Sequence, residues 1–345
     1  MAKVKRPAFR IGGQSVQAGE SGVVNLALPG LYTMQNALNM AVHVIHGKQD
    51  GPRLLVCAAI HGDELNGVDI VRQLFKRKSL KNLRGTLVAI PIVNVFGIMQ
   101  HSRYLPDGRD LNRSFPGSET GSLTARLANL FCDQILFQCT HGIDLHTGGR
   151  NRTNLPQIRA ELENHETLEM AKAFGVPVVI NSRLRDGSLR KTAGEHQIPF
   201  VLFEGGESLR FDPFSIKSGV NGIINVMRHL RMLPRKRSAN QSREPFVANS
   251  SSWVRAPTSG IVHMHRSLGD SVRAGDLLGE VTDPSDLFTD PSVPFTAEFD
   301  GIVVGHTRLP LVNEGDALFH IASYDSPQVI EAELQSFEDD TMDDD

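Results

Sequence analysis

Two kinds of hydrophobic spacing alternate along most of this chain. Residues 53–60 (RLLVCAAI) form a continuous apolar run of the length of a buried strand, and the run stops abruptly at His61-Gly62-Asp63-Glu64. From Leu65 the spacing changes: Leu65, Val68, Val71 and Leu74 or Phe75 recur at helical intervals through LNGVDIVRQLFKRK. GTLVAIPIVN (85–94), HGIDLHTG (from His141), VPVVIN and IPFVLFEGG (198–206) read as further strands. LTARLANLFCDQILFQ (123–138) reads as a helix with Leu123, Leu127, Leu130 and Phe131 on its core stripe. TLEMAKAFG and the segment from Pro213 to Leu233 read as helices too, and the first fifty residues as short strands and turns. Strands alternating with helices predict an α/β domain with a largely parallel or mixed sheet. Two stretches resist assignment. One is the polar, Gly/Pro-rich loop from Gly97 to Ser122, too long for a simple connection and therefore a candidate functional loop. The other is an irregular stretch over 149–164.

Helical spacing ends near residue 235. Residues 236–252 are basic, Ser/Asn-rich and aperiodic, and read as a linker between a 1–235 domain and a 253–325 segment of short apolar runs punctuated by Gly and Asp. That segment repeats itself: Gly260-Ile261-Val262 matches Gly301-Ile302-Val303, and Gly275-Asp276-Leu277-Leu278 matches Gly315-Asp316-Ala317-Leu318. The two copies resemble the halves of the lipoyl/biotinyl-carrier fold, which implies a small all-β barrel-sandwich domain. Such carriers modify a lysine at the hairpin between the halves, and this chain has no lysine after Lys236, so the carrier role is excluded. The acidic end, 326–345, reads as a solvated, disordered tail.

Composition narrows the class. Hydrophobic residues make up 40%, which excludes a wholly disordered chain. Lys and Arg total 36 against 39 Asp and Glu, a formal charge of −3, which argues against a nucleic-acid partner. No apolar run reaches the roughly 18 residues of a membrane span, and the basic N-terminus is not followed by the apolar core of a secretory signal. Cys57, Cys132 and Cys139 are odd in number and lack CxxC spacing, so buried free thiols in a reducing compartment are expected. These features predict a cytoplasmic protein without a membrane partner.

The candidate chemistry sits at strand ends, where open α/β sheets bind ligands. His61 and Glu64 are three apart, so one turn can aim both at a point that His146, in Asp144-Leu145-His146, can complete. Two histidines and a carboxylate with an open fourth position are the arrangement of catalytic zinc, and Asp144 is a candidate orienter of His146. A third cluster, Glu204-Gly205-Gly206-Glu207, ends another strand. The loop Arg103-Tyr104 through Asp110, Asn112 and Arg113 interleaves arginines with Asn, Tyr and Pro, which suits a grip on carboxylate oxygens. His43, His46, His101, His141, His165 and His196 read as surface or packing residues, and His263 and His265 as no more than an adventitious metal pair.

HGDELNG, RYLPDGRDLNRSFPG, DLHTGG and FEGGE, in that order over about residues 50–235, resemble the succinylglutamate desuccinylase/aspartoacylase family of zinc carboxypeptidase-like hydrolases. The resemblance implies a three-layer α/β sandwich with a mixed central sheet and one zinc per chain on His61, Glu64 and His146. It implies that Asn112 and Arg113 hold a substrate carboxylate and that Glu204 is the general acid/base, with Glu207 as rival. The resemblance also implies that an arginine, Arg103 or Arg109, polarises the scissile carbonyl. The expected reaction is hydrolysis of the amide of a small N-acyl amino acid. A carboxypeptidase-type peptidase and a non-catalytic binding protein that kept the pocket are the alternatives, and homo-oligomers are compatible with all three.

Overall fold

The computed structural model describes residues 6–30, 38–235, 244–286 and 291–323. The first strands are short, as expected: β1 (Phe9–Ile11), β2 (Gln14–Val16), β3 (Glu20–Ala27) and β4 (Asn39–His46). The α/β part follows as β5 (Gln49–Ala58), α1 (Asn66–Leu74), β6 (Arg84–Ile90), α2 (Val95–Met99), α3 (Leu123–Gln134), β7 (His141–Gly148), β8 (Arg152–Ala160), α4 (His165–Phe174), β9 (Val178–Asn181), α5 (Leu189–Glu195), β10 (Phe200–Glu207) and α6 (Pro213–His229). In the central sheet β10, β7, β5 and β6 lie side by side and parallel, while β4 and β3 continue it antiparallel on one side and β8 on the other. The Leu54–Ala58 end of β5 and all of β7 are buried, as parallel strands covered by helices on both faces must be. One face packs on α3 and α5, the other on α1, α4 and α6. The expected three-layer sandwich with a mixed sheet is therefore present.

Local corrections have local causes. The helix after His61 buries Gly67, Ile70, Val71 and Leu74 and turns Phe75 outward. The helix from Leu123 stops at Gln134, because Ile135 leaves helical backbone angles, and a single 3-10 turn covers Leu136–Gln138. The start of the Gly97–Ser122 loop lies in α2, capped by the Asn94 side chain. The stretch 149–164 is not irregular: it holds β8, whose polar Asn154 and Gln157 are buried and whose Pro156 lies within the strand. Pro and buried amides conceal a strand from any reading by alternation. Residues 236–243 and the acidic tail from 326 lie outside the described residues, but Phe246–Ala248, within the stretch read as a linker, forms β11 parallel to β9.

The C-terminal strands are β12 (Ser250–Arg255), β13 (Gly260–Met264), β14 (Ser271–Val272), β15 (Leu277–Thr282), β16 (Ser292–Thr296), β17 (Gly301–Thr307), β18 (Leu311–Val312) and β19 (Ala317–Ser323). The sequence repeat is a structural one. β13 pairs with β15 and β18, β17 pairs with β19 and β14, and β12 and β16 pair with β19 and β15, so each half lends strands both to a four-stranded sheet and to the end of the large one. Gly275 and Gly315 take equivalent left-handed turns (φ 88° and 83°), and the following Asp276 and Asp316 accept from the backbone N–H of Arg273 and Asn313. This unit is joined to the α/β sheet: β17 hydrogen-bonds to β8, and Leu155, Val178, Ile180, Ala248, Ile302, Val304 and Ala322 share one apolar cluster. Among the described residues no helix is long and apolar enough to cross a membrane.

The contact between α4 and α6 depends on one glycine. A Cβ built on Gly222 falls 1.9 Å from Cε1 of Phe174, a fully buried ring. Gly222→Ala is expected to destabilise the fold by about 1–3 kcal/mol, measured as a lowered denaturation midpoint with unchanged slope.

Candidate metal and active site

β5 ends at Ala58, and the backbone then turns so that His61 and Glu64 face the carboxyl end of β7, where His146 sits. Gly62 permits the turn, since a Cβ there would meet the Gly97 backbone at 2.1 Å. His61, Glu64 and His146 are buried, and each offers one ligand atom within 4.8 Å of the others. Glu64 Oε1 lies 2.8 Å from His61 Nδ1, and its Oε2 lies 2.7 Å from His146 Nδ1. The far nitrogens are also occupied: His61 Nε2 is 3.1 Å from Asp110 Oδ1, and His146 Nε2 is 2.7 Å from Asp144 Oδ2. An Nε2–H donated outward to a carboxylate leaves Nδ1 free to bond a cation, which is the outer arrangement that metal-binding histidines use.

Electrostatics favour positive charge at this point. Burial opposes ionisation of Glu64, but His61 and His146 hold its carboxyl well below the ordinary range. Burial likewise works against charge on His146, yet Asp144 and Glu64 hold its imidazole well above the usual histidine value. A pocket that favours an ionised carboxylate between two proton-seeking imidazoles also suits a divalent ion. The donor set therefore fits one.

Of the two candidate arginines, Arg103 lies in the site. Its Nη1 is 3.1 Å from His61 Nδ1 and 3.2 Å from Glu64 Oε1, while Nε and Nη2 grip Asp110 Oδ2 at 3.1 and 3.0 Å. Arg109 is exposed and lines a separate surface depression with Phe115 and Ser118. Asn112 and Arg113 follow Asp110 in a short 3-10 turn that the Asp110 side chain caps. The Asn112 side-chain oxygen Oδ1 accepts from the Leu189 backbone N–H, and Asn112 and Arg113 line the same cavity as Arg103.

Glu204 is the Cα partner of His146 across the β10–β7 pair. Its Oε2 accepts from Asn154 Nδ2 at 2.7 Å, and Oε1 lies 3.8 Å from Arg159 Nε. Burial raises the Glu204 carboxyl above its ordinary value, although Arg159 and His146 pull the other way. Glu207 is carried away from the cavity by a β-bulge at Gly206 and pairs with Arg308 at 3.7 Å. The cavity is about 500 Å³ and is lined by seven arginines, among them Arg103, Arg113, Arg150, Arg185 and Arg190, against the carboxylates Glu64, Asp110 and Glu204.

Sequence reading missed several of these groups. Asp110 stood in the suspect loop but not as a partner of His61. Asn154 and Arg159 were hidden with β8, and Arg190 on α5 carried no motif. Trp253 comes from beyond the expected linker and nevertheless lines the cavity. Of the histidines read as surface or packing residues, His46 is buried and bonds Thr86 and Pro7, His101 and His165 are exposed, and His196 is exposed but stacks on Phe137. Cys57, Cys132 and Cys139 are buried and free.

Parallel strands with a His-Glu-His group and a further carboxylate converging at their carboxyl ends define an α/β protein with a candidate metal site. More narrowly, the chain belongs to the succinylglutamate desuccinylase/aspartoacylase family, whose catalytic domain matches residues 50–230. It is 28% identical over 313 residues to the N-alpha-acetyl-L-2,4-diaminobutyric acid deacetylase of Halomonas elongata, covering 88% of this chain and 91% of the relative. Its fold is similar to the crystal structure of a succinylglutamate desuccinylase/aspartoacylase from Rhodobacter sphaeroides, with a TM-score of 0.78 at 24% identity over 89% of this chain and 96% of that one. It is also similar to the product-bound structure of the ectoine utilization protein EutE (DoeB) from Ruegeria pomeroyi, with a TM-score of 0.77 at 25% identity over 88% and 95% of the two chains.

Proposed function

We propose that this protein is a zinc-dependent hydrolase that removes the acyl group from a small N-acyl amino acid. The observation that carries this reading is the convergence of His61, Glu64 and His146 within 4.8 Å, with Glu204 in register beside His146. The deacetylase activity in the name of the Halomonas relative supports amide hydrolysis. The excess of arginines over carboxylates around the cavity supports a substrate that carries a carboxylate.

A zinc ion held by His61, Glu64 and His146 would supply the Lewis acid that acidifies a water and polarises the amide carbonyl. Asp110 and Asp144 keep the two imidazoles oriented for it. Asn112 and Arg113 hold the amino-acid carboxylate, with the guanidinium giving a forked pair of donors. Glu204 takes a proton from the attacking water and returns it to the departing amine. Arg103, already aimed at the His61–Glu64 pair, donates to the developing oxyanion.

The test is a panel of N-acetyl-Asp, N-acetyl-Glu, N-acetyl-ornithine and N-acetyl-2,4-diaminobutyrate beside short peptides, with and without chelator. Chelator-sensitive release of amino acid from an N-acetyl compound, without cleavage of peptides, is the expected result. Peptide cleavage alone, or no turnover by metal-replete protein, overturns the reading. Arg103→Met is expected to lower kcat by about 10²- to 10³-fold with zinc retained, whereas Arg109→Ala leaves kcat near that of the parent. Equal losses would return the role to the loop as a whole.

A further inference from the structure

The hydrolase reading leaves the half-buried cation of Arg159 without a role. Arg159 lines the cavity from β8, yet its buried Nε has no hydrogen-bond partner. The nearest carboxylate oxygen, Glu204 Oε1, is 3.8 Å away, too far for a hydrogen bond, and Glu204 already accepts from Asn154. The Arg159 side chain as a whole is 20% exposed and lines the cavity, so the part of its guanidinium that is open there can donate to a bound molecule.

What holds Arg159 comes from the C-terminal unit. Its Nη2 lies 3.2 Å from Nδ1 of His320 on β19. His320 is 3% exposed; burial and the neighbouring Arg159 and Arg152 cations keep its ring neutral, so Nδ1 accepts from the guanidinium. The other support is Trp253 on β12, the Cα partner of His320, whose ring stacks on it at 4.7 Å and 7°. The Arg152 guanidinium sits 4.8 Å over the same indole, which itself lines the cavity. The chain Trp253–His320–Arg159 thus runs from the appended unit to the space beside Glu204.

We infer that Arg159 is a substrate-binding residue whose cavity-exposed guanidinium donates to a carbonyl or carboxylate oxygen of the N-acyl substrate, and that His320 is the positioning residue that aims it. The C-terminal unit then completes the binding cavity. This inference rests on the hydrolase reading.

The experiment uses full-length, zinc-loaded protein and whichever of N-acetyl-Asp, N-acetyl-Glu, N-acetyl-ornithine and N-acetyl-2,4-diaminobutyrate it turns over. Arg159→Gln is expected to raise KM by about 10- to 100-fold, the worth of a charged hydrogen bond, with a much smaller change in kcat. His320→Phe keeps a ring on Trp253 but removes the acceptor, and is expected to raise KM in the same direction. His320→Asn restores an acceptor oxygen and should bring KM back toward the parent value. The double variant Arg159→Gln/His320→Phe is expected to be no worse than Arg159→Gln, because one residue acts through the other. A merely structural His320 would lower the melting temperature in both His320 variants and leave KM alone. An unchanged KM in Arg159→Gln, or additive losses in the double variant, overturns the inference. Absence of turnover across the whole panel refutes the hydrolase reading instead, and this inference falls with it.

Discussion

Glu204→Gln is expected to keep its zinc and lose about 10²- to 10⁴-fold in kcat, the usual worth of a positioned general acid/base. The substitution keeps the size of the side chain and an oxygen that can accept from Asn154, so the strand pair with His146 is undisturbed. What it removes is a group that can carry a proton in both directions. The environment of Glu204 suits that work: burial lifts its carboxyl above the ordinary range, while Arg159 and His146 keep the ionised form accessible. The check is kcat on a panel substrate together with elemental analysis of the same preparation. Full zinc with full kcat would remove Glu204 from the mechanism. Lost zinc would mean that the carboxylate supports the metal rather than the proton transfer.

Much of this site was legible because its parts are short-range. His61 and Glu64 are three residues apart after an apolar run, and His146 and Asp144 sit two apart on one strand, so spacing alone brought each pair to a strand end. The sheet pairing that sets Glu204 beside His146 follows from adjacent parallel strands. What escaped is long-range. Nothing in the run from Arg152 to Ala160 announces a strand, because its buried side chains include Asn154 and Gln157, which serve the cavity and a backbone carbonyl of β17 rather than an apolar face. Where Arg103 and Arg109 lie relative to the site depended on which way a loop folds, and the Asp110 grip on the Arg103 guanidinium keeps that residue beside His61 and Glu64. Trp253 and His320 were read as parts of an appendage. Pairing of β17 with β8 brings their sheet against the cavity, and no local pattern encodes that docking. The internal repeat was the exception: matched Gly-Asp turns gave the C-terminal unit its two-fold plan before any coordinate did.

Removing His146 should have the larger effect on the metal. His146→Ala deletes one of three donors, strands the buried Asp144 Oδ2 that it meets at 2.7 Å, and leaves Glu64 Oε2 with only the Thr147 backbone N–H at 3.2 Å. Zinc stoichiometry after dialysis is expected to fall from near one per chain to near zero, and turnover to background with it. Loss of a partner from a buried charged group costs about 3–5 kcal/mol, so the variant is also expected to melt earlier. Asp144→Asn separates those two effects. It keeps the packing beside Cys57, whose thiol lies 3.5 Å from Asp144 Oδ1, and leaves the ligand in place. It weakens only the carboxylate that orients the ring, so zinc affinity is expected to drop by about 10- to 100-fold with little change in melting temperature. A gradient from parent through Asp144→Asn to His146→Ala in zinc affinity, measured by competition with a chelator, is what a metal held through Nδ1 and aimed through Nε2 requires. If His146→Ala retains zinc at the parent stoichiometry, the ion lies elsewhere and the hydrolase mechanism loses its centre.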